Sequence, residues 1–339
     1  MKIWYDACTG KHVRYAVAIA RRFRKLGHEV VLTTRKHPDT LELAKVLNEN
    51  FIVVGKYGHG SFFKKLLEST RRQLKFCEMF KNNPPDIGIA HGSVELCRVA
   101  FGMGFPCICT NDTPYAEAIK RLTVPLADYL VIPKAIPKSI FEGYGAKRII
   151  QFDGVDEVAW VRGFKPKIEQ RYDHPLIVVR QLETQASYAK GKTDITITLA
   201  KRLTSLGNVI FLSRYSKRQI KRLMIPSEFV DSVALVAQAD LVVSAGGTIA
   251  REAALQGTCS IVISTLDRAH VNEYLRKKGF PIFTFDNIPQ AIKHAEKNLG
   301  KRWDVKYLLD KLENPVDVIE KIAVEMQNEQ TFNSRVKIK

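Results

Sequence analysis

Ser244-Ala245-Gly246-Gly247-Thr248-Ile249-Ala250-Arg251-Glu252-Ala253-Ala254 follows directly on the largely apolar run Ala239-Asp240-Leu241-Val242-Val243. Such a junction reads as a buried strand, a glycine turn and the start of a helix. Paired glycines let a ligand approach the backbone, and the free amides and positive dipole end of the helix favour a phosphate there. Gly246, Gly247 and Thr248 are therefore expected to hold a diphosphate. Arg251 and Glu252 follow about one turn in. A carboxylate at 252 can accept hydrogen bonds from a ribose diol, or it can serve only to complement the helix dipole.

The same strand, turn and helix unit recurs in both directions from this stretch. Strands are expected at Lys2 to Tyr5, Glu29 to Thr33, Phe51 to Val54, Asp86 to Ala90, Pro106 to Thr110, Tyr129 to Ile132 and Arg148 to Phe152. After a polar stretch from Arg162 to His174 the pattern restarts, with strands at Leu176 to Arg180, Val209 to Ser213, Leu241 to Ser244, Cys259 to Ile263 and Pro281 to Phe285. Between the first two strands, Val13, Ala16, Val17, Ile19, Ala20, Phe23 and Leu26 fall at helical spacing, and Gly27 stands where a helix ends. The fold class is α/β, with mostly parallel, doubly wound sheets. The reading divides the chain into a first Rossmann-like domain (1–162), a linker (163–174), a second such domain (175–314), a C-terminal helix (315–328) and a basic tail (329–339).

The 339 residues carry 53 Lys and Arg against 35 Asp and Glu, a formal net charge of +18, with 45% hydrophobic residues. At about 150 residues per domain the length suits two cores that need no staples. Apolar runs of about eight residues fall far short of the roughly 20 that span a bilayer, and MKIWYDACTG reads as strand and loop rather than signal peptide. A cytoplasmic protein is expected, peripheral to the membrane at most. The six cysteines include no C-x-x-C pair and the eight histidines are scattered, so free thiols and no metal are expected.

The excess charge is local. Residues 11 to 81 hold 16 basic and 6 acidic residues, whereas 82 to 163 hold 8 and 9. Within the basic part Phe62, Phe63, Lys64, Lys65, Arg71 and Arg72 lie on one amphipathic helix. It suits an anionic membrane surface, or it is a crossover helix that buries its apolar stripe on a sheet and solvates its lysines. Nucleic acid is a less favoured partner, since neither a zinc finger nor a paired aromatic platform is present.

Ligands in open α/β sheets bind at the carboxyl ends of strands. That rule selects Gly10, Lys11 and His12 after the first strand, Ser93 in His91-Gly92-Ser93, Asn111 and Asp112, and Arg180, Glu183, Ser187, Tyr188 and Arg214 in the second half. A histidine at a helix N-terminus is kept neutral by the dipole, as a general base requires, so His12 is a candidate base. Asp112 is a second. Arg180 and Arg214 can neutralise a diphosphate leaving group. Each can equally be a cap or a polar loop residue.

Lys2-Ile3-Trp4, Lys11-His12-Val13, Gly27-His28-Glu29-Val30, His91-Gly92-Ser93, Asn111-Asp112, Pro125-Leu126-Ala127-Asp128 and Ala245 to Ala254 together resemble a largely archaeal family of unknown function within the GT-B glycosyltransferase superfamily. The resemblance covers roughly residues 1 to 290. It implies a GT-B-like fold, two Rossmann-like doubly wound domains facing a cleft. The chain is more distantly similar to the peptidoglycan N-acetylglucosaminyltransferase, which implies acceptor chemistry at His12 and nucleotide ribose binding at Glu252. It is also similar to the non-hydrolysing UDP-N-acetylglucosamine 2-epimerases. Their glycine segment is preceded by an acidic residue and a serine where this chain has Ser244-Ala245, and the full set of carboxylates that carbon deprotonation uses is not placed by the sequence.

The expected activity is a metal-independent, inverting glycosyltransferase with no cofactor. It would take a sugar from a nucleoside diphosphate donor on the second domain to a lipid-linked or glycan acceptor on the first, with His12, or failing it Asp112, as base. An epimerase acting on the same nucleotide-sugar and a basic nucleic-acid-binding protein on an inactive fold are the alternatives.

Overall fold

The computed structural model describes residues 1–166, 172–183, 194–214, 218–263 and 270–336. Strands β1 (Lys2–Ala7), β2 (Glu29–Lys36), β3 (Ile52–Lys56), β4 (Ile87–His91), β5 (Cys107–Thr110), β6 (Tyr129–Pro133) and β7 (Ile149–Phe152) form one sheet in the order β3-β2-β1-β4-β5-β6-β7. Every neighbouring pair is parallel. Strands β8 (Leu176–Arg180), β9 (Asn208–Leu212), β10 (Leu241–Ser244), β11 (Ser260–Ile263) and β12 (Ile282–Phe285) form a second parallel sheet, ordered β12-β11-β10-β8-β9. In each sheet the order reverses at one place, between β1 and β4 in the first and between β8 and β10 in the second. Those are the switch points at which a doubly wound sheet opens a crevice beyond its strand ends.

The chain forms two compact units, Met1–Ala159 with Glu313–Lys339, and Trp160–Leu312. The C-terminal helix Pro315–Val336 belongs to the first unit. It packs on helix Gly10–Lys25, where Arg22 meets Asp317 at 2.7 Å. This helix also runs through most of the stretch read as a basic tail. Of the linker, residues 167–171 lie outside the described residues.

Both cores follow from period-two alternation in strands covered on both faces. In β8, Ile177 and Val179 join one buried cluster with Leu199, Leu203 and Ala295, while Leu176 and Val178 join another with Leu235, Val236 and Ile249. The first helix begins at Gly10, three residues earlier than the apolar period alone indicates. Thr9 caps it by accepting from the His12 amide. It ends at Gly27 (φ +80°), where the His28 amide reaches Phe23 O and the Gly27 amide reaches Arg24 O, a closure that only a left-handed residue makes at low cost. All six cysteines are free and five are buried, Cys77 alone being exposed. Among the described residues no helix is long and apolar enough to cross a membrane.

Helix Phe62–Phe80 departs from the reading that it buries an apolar stripe. Its inward positions, four apart, are Glu68, Arg72, Phe76 and Phe80, so the upper half of the inner face is charged. Phe76 and Phe80 pack on Trp4, with ring centroids 4.7 and 4.8 Å away. Arg72, read as a membrane-surface residue, is instead 1% exposed. Its guanidinium reaches Asp6 Oδ1 at 2.6 Å, Glu95 Oε1 at 3.2 Å and the Val54 carbonyl at 2.9 Å. Gly55, at φ +67°, makes room for this crossing, since a Cβ there would stand 2.6 Å from Arg72 Cγ. Burial alone would lower the Arg72 pKa, but Asp6, Cys8 and Glu95 outweigh it and hold the charge above its ordinary value.

Removing one partner of a buried ion pair strands the other charge, at about 3–5 kcal/mol. Arg72→Met is therefore expected to lower the unfolding free energy by about that much, whereas Lys75→Ala, at an exposed position of the same helix, changes it by about 0.5 kcal/mol or less. Equal urea midpoints for the two variants would show that the pair does not hold the helix.

Candidate functional site

At the first switch point the ends of β1, β4 and β5 bring charged side chains together below the surface. The cap at Thr9 starts the helix so that Lys11 and His12 lie in its first turn, beside His91 at the end of β4 and Asp112 just past β5. Lys11 Nζ lies 2.5 Å from Asp112 Oδ2, 2.8 Å from Asp156 Oδ2 and 3.9 Å from Glu157 Oε1. His91 closes the group, with Nε2 3.2 Å from Asp112 Oδ1 and Nδ1 2.7 Å from Thr110 Oγ1. All three carboxylates are buried. Asp156 Oδ1 and the Tyr5 hydroxyl are also buried and make no hydrogen bond among the described residues. Taking several charges out of water is expensive unless the arrangement is used, and such clusters concentrate at functional sites.

His12 stands against this group, its ring centroid 5.0 Å from that of His91. Burial, then its electrostatic interaction with His91 and the positive charges of Lys11 and Arg35, hold its pKa well below the ordinary value, with Asp112 opposing. The imidazole is neutral, as expected, but its tautomer is not the one a base needs. The Cys8 amide donates to Nδ1 at 3.3 Å. A backbone N–H can only donate, so Nδ1 is the acceptor and Nε2 carries the proton. His12 therefore presents a hydrogen-bond donor at Nε2.

The other first-domain candidates have structural duties. Ser93 is buried, caps helix Val94–Met103 by accepting from Leu96 N, and donates to Asp6 Oδ2 at 2.6 Å, so it belongs to the Arg72 network and not to the Lys11 cluster. Asn111 is buried and its side chain accepts from Thr113 N at 2.8 Å, fixing the turn that aims Asp112. A Cβ at Gly10 would meet only Leu43 Cδ2 at 3.7 Å, so no close approach requires glycine there. Asp156 and Glu157 were not found by sequence reasoning. They sit 145 and 146 positions from Lys11 and carry no local motif.

At the second switch point Ser244 is paired in register with Arg180. The glycine turn and Arg180 thus share one sheet edge. Gly246 is exposed, and a Cβ built on it meets nothing within 4 Å. Gly247 opens helix Gly247–Ala254 under the Arg251 guanidinium, where a Cβ would lie 2.4 Å from Nη1. Arg251 is buried and its Nη1 is 3.5 Å from Asn272 Oδ1; Thr248 is half-buried beside it. Glu252 faces inward, contrary to a ribose contact. Its two oxygens accept from Trp160 Nε1 at 3.0 Å and Ser232 Oγ at 2.8 Å. Arg214 donates through Nε to the Gln181 carbonyl at 2.9 Å and lies 3.5 Å from Glu183. Gln181, which the sequence did not single out, binds the Ser213 hydroxyl, the Arg214 amide and Asp194, and so orders this edge. Ser187 and Tyr188 lie outside the described residues.

Among the described residues two groups of side chains have metal-ligating composition: His91 with Asp112 and Asp156, and Asp6 with Cys8 and Glu95. Each already surrounds a protein cation. Lys11 lies on both carboxylates of the first, and Arg72 on all three members of the second. Burial, then Asp6, raises the Cys8 thiol to about 12.

A family model described as "Protein of unknown function (DUF354)" matches residues 1–328. An uncharacterized protein of Methanocaldococcus jannaschii, MJ0665, is 32% identical over 336 residues, covering 94% of this chain and 96% of that protein. Among solved structures, the UDP-GlcNAc 2-epimerase of Methanocaldococcus jannaschii in complex with UDP-GlcNAc and UDP is similar at a TM-score of 0.70 and 15% identity, covering 96% of this chain and 100% of that one. The glycotransferase of kitacinnamycin is similar at 0.60 and 15%, covering 94% and 98%. At these identities the likeness establishes the GT-B fold.

The neutrality of His12 has a pH consequence. Between the unfolded value near 6.5 and the lower folded value, the unfolded chain binds the extra proton, so stability falls as pH drops through that window. The difference in unfolding free energy between wild type and His12→Asn is expected to shrink from pH 7.5 to pH 5, and the His12 ring carbons are expected to titrate in NMR with a midpoint below the ordinary histidine value. A His12 titration midpoint at or above 6.5 would contradict the lowering by burial.

Proposed function

The chain belongs to the DUF354 family, and we propose that it is an enzyme of nucleotide-sugar chemistry, an inverting glycosyltransferase with its donor on the second domain and its acceptor on the first. The observation that carries this reading is the buried cluster of Lys11, His12, His91, Asp112, Asp156 and Glu157 at the carboxyl ends of β1, β4 and β5. A sheet needs no ionised groups there, whereas proton transfer to and from a sugar hydroxyl does.

Asp112 is the base in this proposal. Its contacts to Lys11 and His91 orient it, and Lys11 repositions as the acceptor proton arrives. The Nε2–H of His12 is placed to donate to an acceptor oxygen. On the second domain the exposed Gly246 amide and the start of helix Gly247–Ala254 meet the diphosphate, and Arg180 meets the charge that grows on the leaving group. No Asp-x-Asp pair occurs in the sequence, so arginine and helix dipole are assigned the role that a bridging metal would take. The acceptor is a lipid-linked or glycan hydroxyl.

The three carboxylates also favour a second reading. Epimerisation needs an acid and a base on opposite sides of one carbon, and Asp112, Asp156 and Glu157 around one lysine supply more than one proton-transfer group. The epimerase structures with their UDP-GlcNAc ligands make that sugar nucleotide the first to try.

A nucleoside diphosphate at 100 times its dissociation constant stabilises by about 2.7 kcal/mol, expected here as a Tm rise of roughly 5–10 °C. With UDP-GlcNAc alone, a transferase leaves the sugar unchanged and releases UDP only when an acceptor extract is added; an epimerase converts it unaided. Asp112→Asn is expected to lower either rate by about 10²–10⁴ while retaining the nucleotide Tm shift. The proposal is withdrawn if no nucleoside diphosphate or nucleotide-sugar shifts the wild-type Tm.

A further inference from the structure

Helix Phe62–Phe80 faces its charges inward and its apolar residues outward. The inner face spends two positions on Glu68 and Arg72, while Phe63, Leu66 and Leu74 on the outer face are 70%, 67% and 61% exposed. Their spacing, three and then eight residues, keeps them on one stripe. Lys64, Arg71 and Lys75 line one border of that stripe, and all three are exposed. The one carboxylate that the helix holds between Phe62 and Cys77, Glu68, is buried and paired with Arg71 at 2.8 Å. The helix's other carboxylate, Glu78, is exposed in the last turn, so the border presents positive charge beside large apolar side chains from Phe63 to Lys75, about 20 Å of helix.

We propose that this helix is a membrane-docking surface, lying in the plane of an anionic bilayer with Phe63, Leu66 and Leu74 in the acyl boundary and the lysines and arginine on the headgroups. Apolar side chains in a stripe with flanking basic residues are the composition that interfacial helices use, and each basic residue near such a surface adds roughly five-fold in partitioning. A second copy of the chain fits less well. An isologous contact through this face would bring its own basic border, on a chain of net charge +18, against itself. RNA fits less well too, because the aliphatic Leu66 and Leu74 at the middle of the stripe offer no stacking surface.

The placement also bears on the sugar chemistry. Because β3 precedes the helix in a sheet whose strands are all parallel, the helix starts at the carboxyl edge, the edge that carries Lys11, His12 and His91. A bilayer on this face lies beside the first-domain site and presents lipid-borne hydroxyls to it. That consequence rests on the transferase reading, whereas the docking itself does not, and the test reads docking alone.

The test is co-sedimentation of the full chain with vesicles of phosphatidylcholine alone or with about one-third phosphatidylglycerol, a fraction chosen to give a substantial negative surface potential. Wild type is expected to partition at least ten-fold more strongly onto the anionic vesicles and to lose that preference in high salt. Phe63→Ser/Leu66→Ser/Leu74→Ser, made at exposed positions and checked for an unchanged Tm, is expected to lose at least ten-fold. Lys64→Glu/Arg71→Glu/Lys75→Glu is expected to lose the preference for anionic lipid. The proposal is overturned if wild type stays in solution with anionic vesicles, or if either triple variant sediments like wild type. It is equally overturned if the apolar triple variant turns a wild-type dimer into a monomer or abolishes binding to an RNA homopolymer while vesicle binding is unchanged.

Discussion

One guanidinium under the first sheet decides how the rest of that domain is arranged. Arg72 reaches up from the middle of helix Phe62–Phe80 to Asp6 on β1, Glu95 at the start of the next helix and the Val54 carbonyl on β3. Asp6 in turn takes hydrogen bonds from Thr33 on β2 and Ser93 after β4. A buried charge with this many partners has one low-energy position, so four strands are locked in depth at their carboxyl ends. The cost of desolvating Arg72 is offset only if every partner is in place, which leaves little freedom to the helix. With its inner positions taken by Glu68 and Arg72, the large apolar residues of its first turns have only the outside left.

The cluster around Lys11 sits just beyond that lock. Two residues after Asp6, Cys8 donates its amide to His12 and sets the histidine's tautomer. Two residues before Ser93, His91 holds Asp112. The site is thus built on strand ends that the Arg72 network has already fixed, the arrangement a proton-transfer site needs if its groups are to keep their geometry. In the second domain the corresponding edge is ordered by an uncharged hub, Gln181, and the acid of the glycine segment turns inward to Trp160 and Ser232. Gly246, exposed at the start of helix Gly247–Ala254, lies at the switch point, whereas Glu252 is buried.

Much of this was legible in the chain. Each of the twelve expected strands is present, because parallel strands buried on both faces read as continuous apolar runs that glycine and polar turns interrupt. Gly27 ends its helix as read, and Lys11, His12 and Asp112 do meet at a switch point. What was not legible has a common cause. Asp156 and Glu157 look like any acidic pair before a short helix, and Arg72 looks like its exposed neighbour Arg71. Their roles are set by partners 145 and 66 positions away, and local composition carries no trace of a contact at that distance.

By itself the sequence determined the class of fold, the strands, the glycine turns and which loops lie at the carboxyl ends, since these depend on periodicity and backbone freedom within a few residues. Only the tertiary structure decided which charged side chains are buried together, which nitrogen of His12 holds its proton, and which face of helix Phe62–Phe80 meets the sheet. Those depend on desolvation and on hydrogen-bond partners brought in from other strands, and neither exists until the sheet has closed over them.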